Sequence, residues 1–139
     1  MKRLALIFIT TILTTTSALA DTAISSTQKV VEHHVQSGND RNIEEVMHDY
    51  ADDAILIGPG GTVYKGKQAI RTSFEQLMQQ DAGSIITADQ KVFEGEVGYV
   101  VWTMNAGTPG AAHGSDTFIV HNGKIAVQTV VIFQSGPQQ

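Results

Sequence analysis

The chain has 139 residues, with 14 acidic and 9 basic side chains, 5 His and no Cys, for a formal net charge of −5. Hydrophobic residues make up 42% and charged ones 17%, a globular mix whose length fits one domain with one core. Without cysteine there is no disulfide framework, thiol nucleophile or Cys-ligated metal. The acidic balance argues against a nucleic-acid partner, whose phosphates need a concentrated basic surface.

Lys2 and Arg3, the apolar run from Leu4 to Ile9, a Thr-rich stretch and Ala18-Leu19-Ala20 before Asp21 follow the order of a secretory signal. A spanning helix wants about 20 apolar residues, and this stretch is interrupted by Thr10, Thr11, Thr14, Thr15 and Thr16. The sequence therefore predicts a signal peptide over 1–20, cut after Ala20, and a single domain over 21–139. That domain is expected in the periplasm or outside the cell, with no membrane attachment after cleavage. Losing Lys2 and Arg3 leaves 7 basic side chains against 14 acidic ones, a net −7.

Val31 and Val35 share a face of a helix expected from about Thr22 to Ser37, with Gly38 as its left-handed stop. Asn42, with Glu45 three residues on, has capping-box form. It opens a second helix carrying Ile43, Val46, Met47 and Tyr50 on one face. Ala54 to Ile57 is a short strand ended by Gly58-Pro59-Gly60-Gly61, and Thr62 to Tyr64 returns beside it. Lys67 to Gln80 is a third helix with Ile70, Phe74, Leu77 and Met78 as its stripe. The period then changes to two, giving strands at 85–93, 97–105, 112–120 and 125–133, the last pair joined by the hairpin turn Asn122-Gly123. Helices followed by a meander of long strands predict an α+β domain. A curved antiparallel sheet packs on three N-terminal helices, with a pocket between the layers.

Three stretches carry a family resemblance: Tyr50-Ala51-Asp52-Asp53-Ala54 with the following strand, Gly66-Lys67-Gln68-Ala69-Ile70-Arg71, and Asp116 to Val120 with Asn122-Gly123-Lys124-Ile125. In this order and spacing the chain resembles the nuclear transport factor two-like superfamily, nearest its SnoaL-like and ketosteroid-isomerase-like bacterial members. The resemblance implies a cone-shaped α+β barrel, also called cystatin-like, often dimerised through the outer face of its sheet. It covers isomerases, cyclases, hydratase-like enzymes, binding proteins and non-catalytic assembly domains.

Ketosteroid isomerase chemistry needs a carboxylate base and two donors in an apolar pocket. By the resemblance, the base position falls at Gly58, which has no side chain, the donor tyrosine near His34, and the acidic donor at Asp116. An epoxide-hydrolase-like site needs an Asp–Arg–Asp set, for which only Arg41 and Arg71 remain after the signal, both on helical surfaces.

Asp116 shares its strand face with Gly114, Phe118 and Val120. Burial there would raise its pKa and keep it available as a donor, while a purely structural carboxylate is the alternative. His34 flanks the Val31–Val35 stripe and can reach a pocket, whereas His33, His48, His113 and His121 are expected at the surface. Adjacent His33 and His34 cannot form one two-His metal site. Gln128 is expected to face the pocket, binding ligand or satisfying Asp116. Trp102 and Tyr99 must face opposite sides of their strand. Tyr64 stands at the pocket mouth or the core edge, and Phe118 lines the wall.

No metal-binding spacing, P-loop or dinucleotide fingerprint is present, so neither metal nor cofactor is expected. The sequence thus predicts a homodimeric, exported pocket domain for a small apolar or amphipathic molecule. Asp116 and His34 are its candidate catalytic residues, and Gln128, Trp102, Tyr64 and Phe118 its candidate ligand contacts. A non-catalytic dimeric binding or assembly module on the same fold is the alternative.

Overall fold

A computed structural model describes residues 15–80 and 83–133, with side chains from residue 26 onward. Most of the expected signal sequence, residues 1–14, lies outside the described residues. The first helix, α1, runs from Thr15 to Asn39, so the cleavage expected after Ala20 falls within its range. The other elements are α2 (Ile43–Asp49), β1 (Tyr50–Ile57), β2 (Val63–Lys65), α3 (Lys67–Gln80), β3 (Ile86–Glu94), β4 (Val97–Met104), β5 (Ala112–His121) and β6 (Lys124–Phe133).

The three helices pack on one face of a curved sheet with strand order β2-β1-β6-β5-β4-β3. All neighbours are antiparallel except β1 and β6, which run parallel. The sheet is therefore mixed and open, with β2 and β3 as its edges, where the strand pattern suggested a wholly antiparallel sheet and the resemblance a barrel. The parallel pair has a simple cause. The long excursion through β2, α3 and β3–β5 returns β6 beside β1 in the same direction.

Local chemistry sets most boundaries. Asn42 caps α2 by accepting a hydrogen bond from the Glu45 amide. Gly38 does not stop α1. The helix continues to Asn39, and Arg41 takes the left-handed conformation at φ 57°. Arg41 in turn donates to the Met78 carbonyl, tying the turn to α3. Tyr50, expected to continue the α2 stripe, is instead the first residue of β1, with an extended ψ of 146°. Asn122 and Gly123, both at positive φ, form the β5–β6 turn as expected.

The core lies between the helices and the sheet. Val31 of α1, Val46 and Met47 of α2, and Ile70 of α3 meet Val100, Phe118 and Ile125 of the sheet. The layers approach closely at Gly98, where an added Cβ would stand 3.0 Å from Val31 Cγ2. Thr27 donates to the Gly95 carbonyl at 2.8 Å, fastening α1 to the β3–β4 turn.

Gly114 has a sharper role. It is the cross-strand partner of Trp102, whose ring lies where a Gly114 side chain would be. A Cβ there would overlap the ring and stand 2.5 Å from the Val131 carbonyl oxygen. Backbone cannot retreat cheaply from such overlap, and overpacking of this kind costs about 1–3 kcal/mol. Gly114→Ala should therefore lower the unfolding free energy by that amount, read as a lower urea midpoint at unchanged slope. An unchanged midpoint would mean that the Trp102 ring can move aside.

Candidate functional site

A cavity of about 360 Å³ opens between α1, α3 and the inner face of the sheet. Val35 of α1 and Phe74 and Leu77 of α3 line one side. Leu56, Val100, Met104, Phe118 and Val130 from the strands line the other. Among the described residues that line it, none is Lys or Arg. The one acid is Asp116, and the one imidazole is His34. All six candidate residues named from the sequence, Asp116, His34, Gln128, Trp102, Tyr64 and Phe118, line this single cavity, as does Gly58. Gly58 leaves the expected base position without a side chain. A Cβ there would meet the Tyr64 ring at 3.4 Å, ordinary contact that the ring could accommodate.

The polar end of the cavity is a hydrogen-bonded chain. Trp102 Nε1 donates to Asp116 Oδ1 at 2.8 Å, and Gln128 Nε2 donates to Asp116 Oδ2 at 2.7 Å. The Gln128 Oε1 accepts from the Tyr50 hydroxyl, which is fully buried. The strand register makes this possible. Asp116 lies across β5–β6 from Val130, with Gln128 two residues along on the same face, and Leu56 of β1 lies opposite Gln128. Each donor polarises the next, so the Tyr50–Gln128–Asp116 chain is held more firmly than its separate bonds would be.

Burial pushes Asp116 up from the ordinary carboxylate range to about 6, against the pull of the Trp102 and Gln128 hydrogen bonds. Burial, with the Asp116 and Asp49 charges, also lifts Tyr50 well above its usual range. The Tyr50 hydroxyl therefore stays a donor.

His34 is 5% exposed and is surrounded edge-on by the rings of Tyr50, Phe74 and Phe118, at centroid distances of 5.2, 5.8 and 5.6 Å. Burial, with a smaller contribution from the neighbouring His33 charge, pulls its pKa down to about 4. The imidazole is neutral at physiological pH. Its Nδ1 is buried without a hydrogen-bond partner and lies 3.8 Å from Asp49 Oδ2.

Asp49 and Tyr50 are the polar residues the sequence reading did not single out. Tyr50 was hidden in an apolar helical stripe. Asp49 carried one faint signal, since an acid in the last turn of a helix faces the negative end of its dipole and needs another partner. That partner is His33, whose Nδ1 donates to both Asp49 oxygens at 2.9 Å. His33 is at the surface as expected, and it is also paired with Asp49. His48, His113 and His121 are exposed, and Asp52 pairs with Lys67 at 3.0 Å. Arg71 pairs with Glu44 at 2.7 Å on the helical surface, and neither it nor Arg41 lines the cavity. Trp102 faces the cavity. Tyr99 lies opposite Thr117 on the other face of the sheet. Among the described residues, no group of three or more His, Asp or Glu is arranged to hold a metal ion.

Fold and cavity together define a pocketed α+β domain of the nuclear transport factor two-like type. The SnoaL-like domain family matches residues 31–128, and the chain belongs to that family. No curated protein matches it in sequence. Among solved structures it is similar to a candidate ketosteroid isomerase from Kribbella flavida, at TM-score 0.75 and 15% identity over 87% of this chain and 86% of that one. A nuclear transport factor two-like protein of unknown function from Mesorhizobium loti matches at TM-score 0.70 and 12% identity, over 80% and 93% of the two chains. An LEH-like epoxide hydrolase from M. tuberculosis matches at TM-score 0.66 and 17% identity, over 79% and 84% of the two chains. These likenesses establish the fold.

Asp116 and His34 act on stability with opposite signs. Asp116 binds its proton more tightly folded than unfolded, so its share of stability is lost as pH rises from about 4 through 6. His34 binds its proton more weakly when folded, so its share is lost as pH falls from about 6.5 through 4. Between pH 4 and 6 the two shares nearly cancel, so Asp116→Asn should unmask a gain in stability with rising pH and His34→Gln a loss, each by at most about 1.4 kcal/mol per pH unit. Denaturant titrations between pH 4 and 7 check both, and parallel profiles for wild type and either variant would remove that group from the account.

Proposed function

We propose that the protein binds a small apolar or amphipathic molecule in this cavity, with Asp116 exchanging a proton and neutral His34 contacting the ligand beside it. What carries the reading is Asp116. Its carboxyl group is fixed between two N–H donors in an apolar cavity, with a pKa brought to about 6. Such a group changes protonation with little driving force near neutral pH, which suits isomerisation, cyclisation or hydration of a carbon framework. The lack of a side chain at Gly58 leaves Asp116 as the carboxyl group of the pocket. The isomerase and epoxide-hydrolase descriptions of two fold relatives are consistent with proton-transfer chemistry in such a cavity.

A second reading has its own observation. The sheet face turned away from the helices exposes Val131 and Phe133 of β6, 49% and 52% accessible, with Val92 of β3 also exposed. A second copy of the chain packed there would make a homodimer, as a non-catalytic assembly module requires. We also place the protein in the periplasm or outside the cell, on the signal-type order of its first 20 residues.

Native mass spectrometry of the protein purified gently from an exported fraction reads ligand and oligomer together. A co-purifying small molecule supports the pocket reading. Asp116→Ala and His34→Ala should each weaken binding of that molecule about tenfold, the value of one hydrogen bond to a charged or buried group. Unchanged binding in folded variants would remove them from the site. For the dimer, Val131→Glu should convert a light-scattering dimer to a monomer. A wild type that is monomeric at every concentration would end the second reading.

A further inference from the structure

Asp49 lies behind the cavity wall, outside the set of groups that a ligand would touch. It is 4% exposed and ends α2 just before the buried Tyr50. Burial raises its pKa, opposed by the His33 hydrogen bond and by the nearby His33, His48 and Lys124 charges. Two adjacent residues of α1 approach its carboxylate. His33 Nδ1 is 2.9 Å from each oxygen, and His34 Nδ1 is 3.8 Å from Oδ2. On the solvent side, His33 Nε2 lies 3.5 Å from Glu45. His48 Nδ1 stands 4.0 Å from Oδ1, and Lys124 Nζ donates to the His48 carbonyl at 2.5 Å.

The buried His34 Nδ1 has no other partner. A neutral imidazole must put its one proton on Nδ1 or Nε2, and the group facing the other nitrogen decides which. A bare Nδ1 lone pair beside a carboxylate oxygen is repelled, whereas an Nδ1–H is attracted.

We propose that Asp49 is a positioning residue that fixes His34 as the tautomer protonated on Nδ1. This rests on the reading of His34 as a ligand-facing group. The ring's other nitrogen, Nε2, is then left unprotonated for the cavity, so His34 accepts and does not donate there. The ligand accordingly presents a hydroxyl or N–H at that point, where a carbonyl oxygen would find no donor. If that proton passes to Nε2, the electron pair stays on the ligand and the imidazolium is held by Asp49, with His33 keeping the carboxylate in place. The proton returns from Nε2 when the ligand is released.

Two-bond ¹H–¹⁵N correlation NMR on the uniformly ¹⁵N-labelled protein at neutral pH assigns the tautomer without any ligand. The Nδ1–H form of His34 should exceed the Nε2–H form about tenfold or more, the pull of a carboxylate oxygen 3.8 Å away at a buried site. Asp49→Ala should lower that ratio about tenfold. A merely structural Asp49 would lower the unfolding midpoint and leave the tautomer where it was. Wild-type His34 protonated on Nε2 overturns the proposal even if the variant does not fold. So does a folded Asp49→Ala with an unchanged ratio. Failure of the pocket reading appears elsewhere, as ligand binding insensitive to His34→Ala, and leaves the tautomer result standing.

Discussion

A carboxylate held inside an apolar cavity by two neutral N–H groups is the constraint around which this fold is arranged. Asp116 has no cation beside it among the described cavity residues. Its negative charge is tolerable only because Trp102 and Gln128 supply directed dipoles at hydrogen-bond distance. Each of those donors has requirements of its own. The Trp102 ring needs the empty space over Gly114, and the Gln128 amide is oriented by the Tyr50 hydroxyl. Four strands and the α2–β1 junction thus contribute to placing one charged group. The order β1-β6-β5-β4 sets these four strands side by side, and their inward side chains converge on Asp116.

Much of this was legible in the sequence, for identifiable reasons. Strand parity alone put Asp116, Phe118 and Gly114 on one face and separated Trp102 from Tyr99. Hydrophobic spacing gave α3 from Lys67 to Gln80, as observed, and the capping role of Asn42 followed from its chemistry. The open, mixed sheet was harder, because pairing of β1 with β6 is a contact between distant segments that no local signal announces. Tyr50 was misplaced for a related reason. Its position fits the helical period of Ile43, Val46 and Met47, and only tertiary packing turns the chain to an extended conformation there. Gly38 misled in the opposite direction, since a glycine near a helix end suggests a stop. The stop here fell three residues later, at Arg41.

The histidines show how far local reasoning extends. Their exposure was readable from helix faces and turns, and the two adjacent residues do point in different directions. What helix geometry could not show is that a third residue, sixteen positions from His33, lies between those directions. Asp49 reaches both rings because α2 crosses α1 close by. A buried acid at the wrong end of a helix dipole is tolerable when it has partners from another element, and α1 provides them.

The Tyr50–Gln128 hydrogen bond joins residues 78 positions apart, and the strand carrying Gln128 is the last in the chain. Closing so large a loop is entropically expensive and makes pairing slow compared with hairpin formation. Helices and the β3–β4–β5 meander can form early from local contacts. The cavity has no complete wall until β6 slides in beside β1. In the interval, both strands present unpaired edges and apolar side chains, the state from which chains most readily aggregate. On this order of events the cavity is completed last. A chain interrupted before residue 124 would carry every candidate residue except Gln128 and lack the strand that joins them into a cavity.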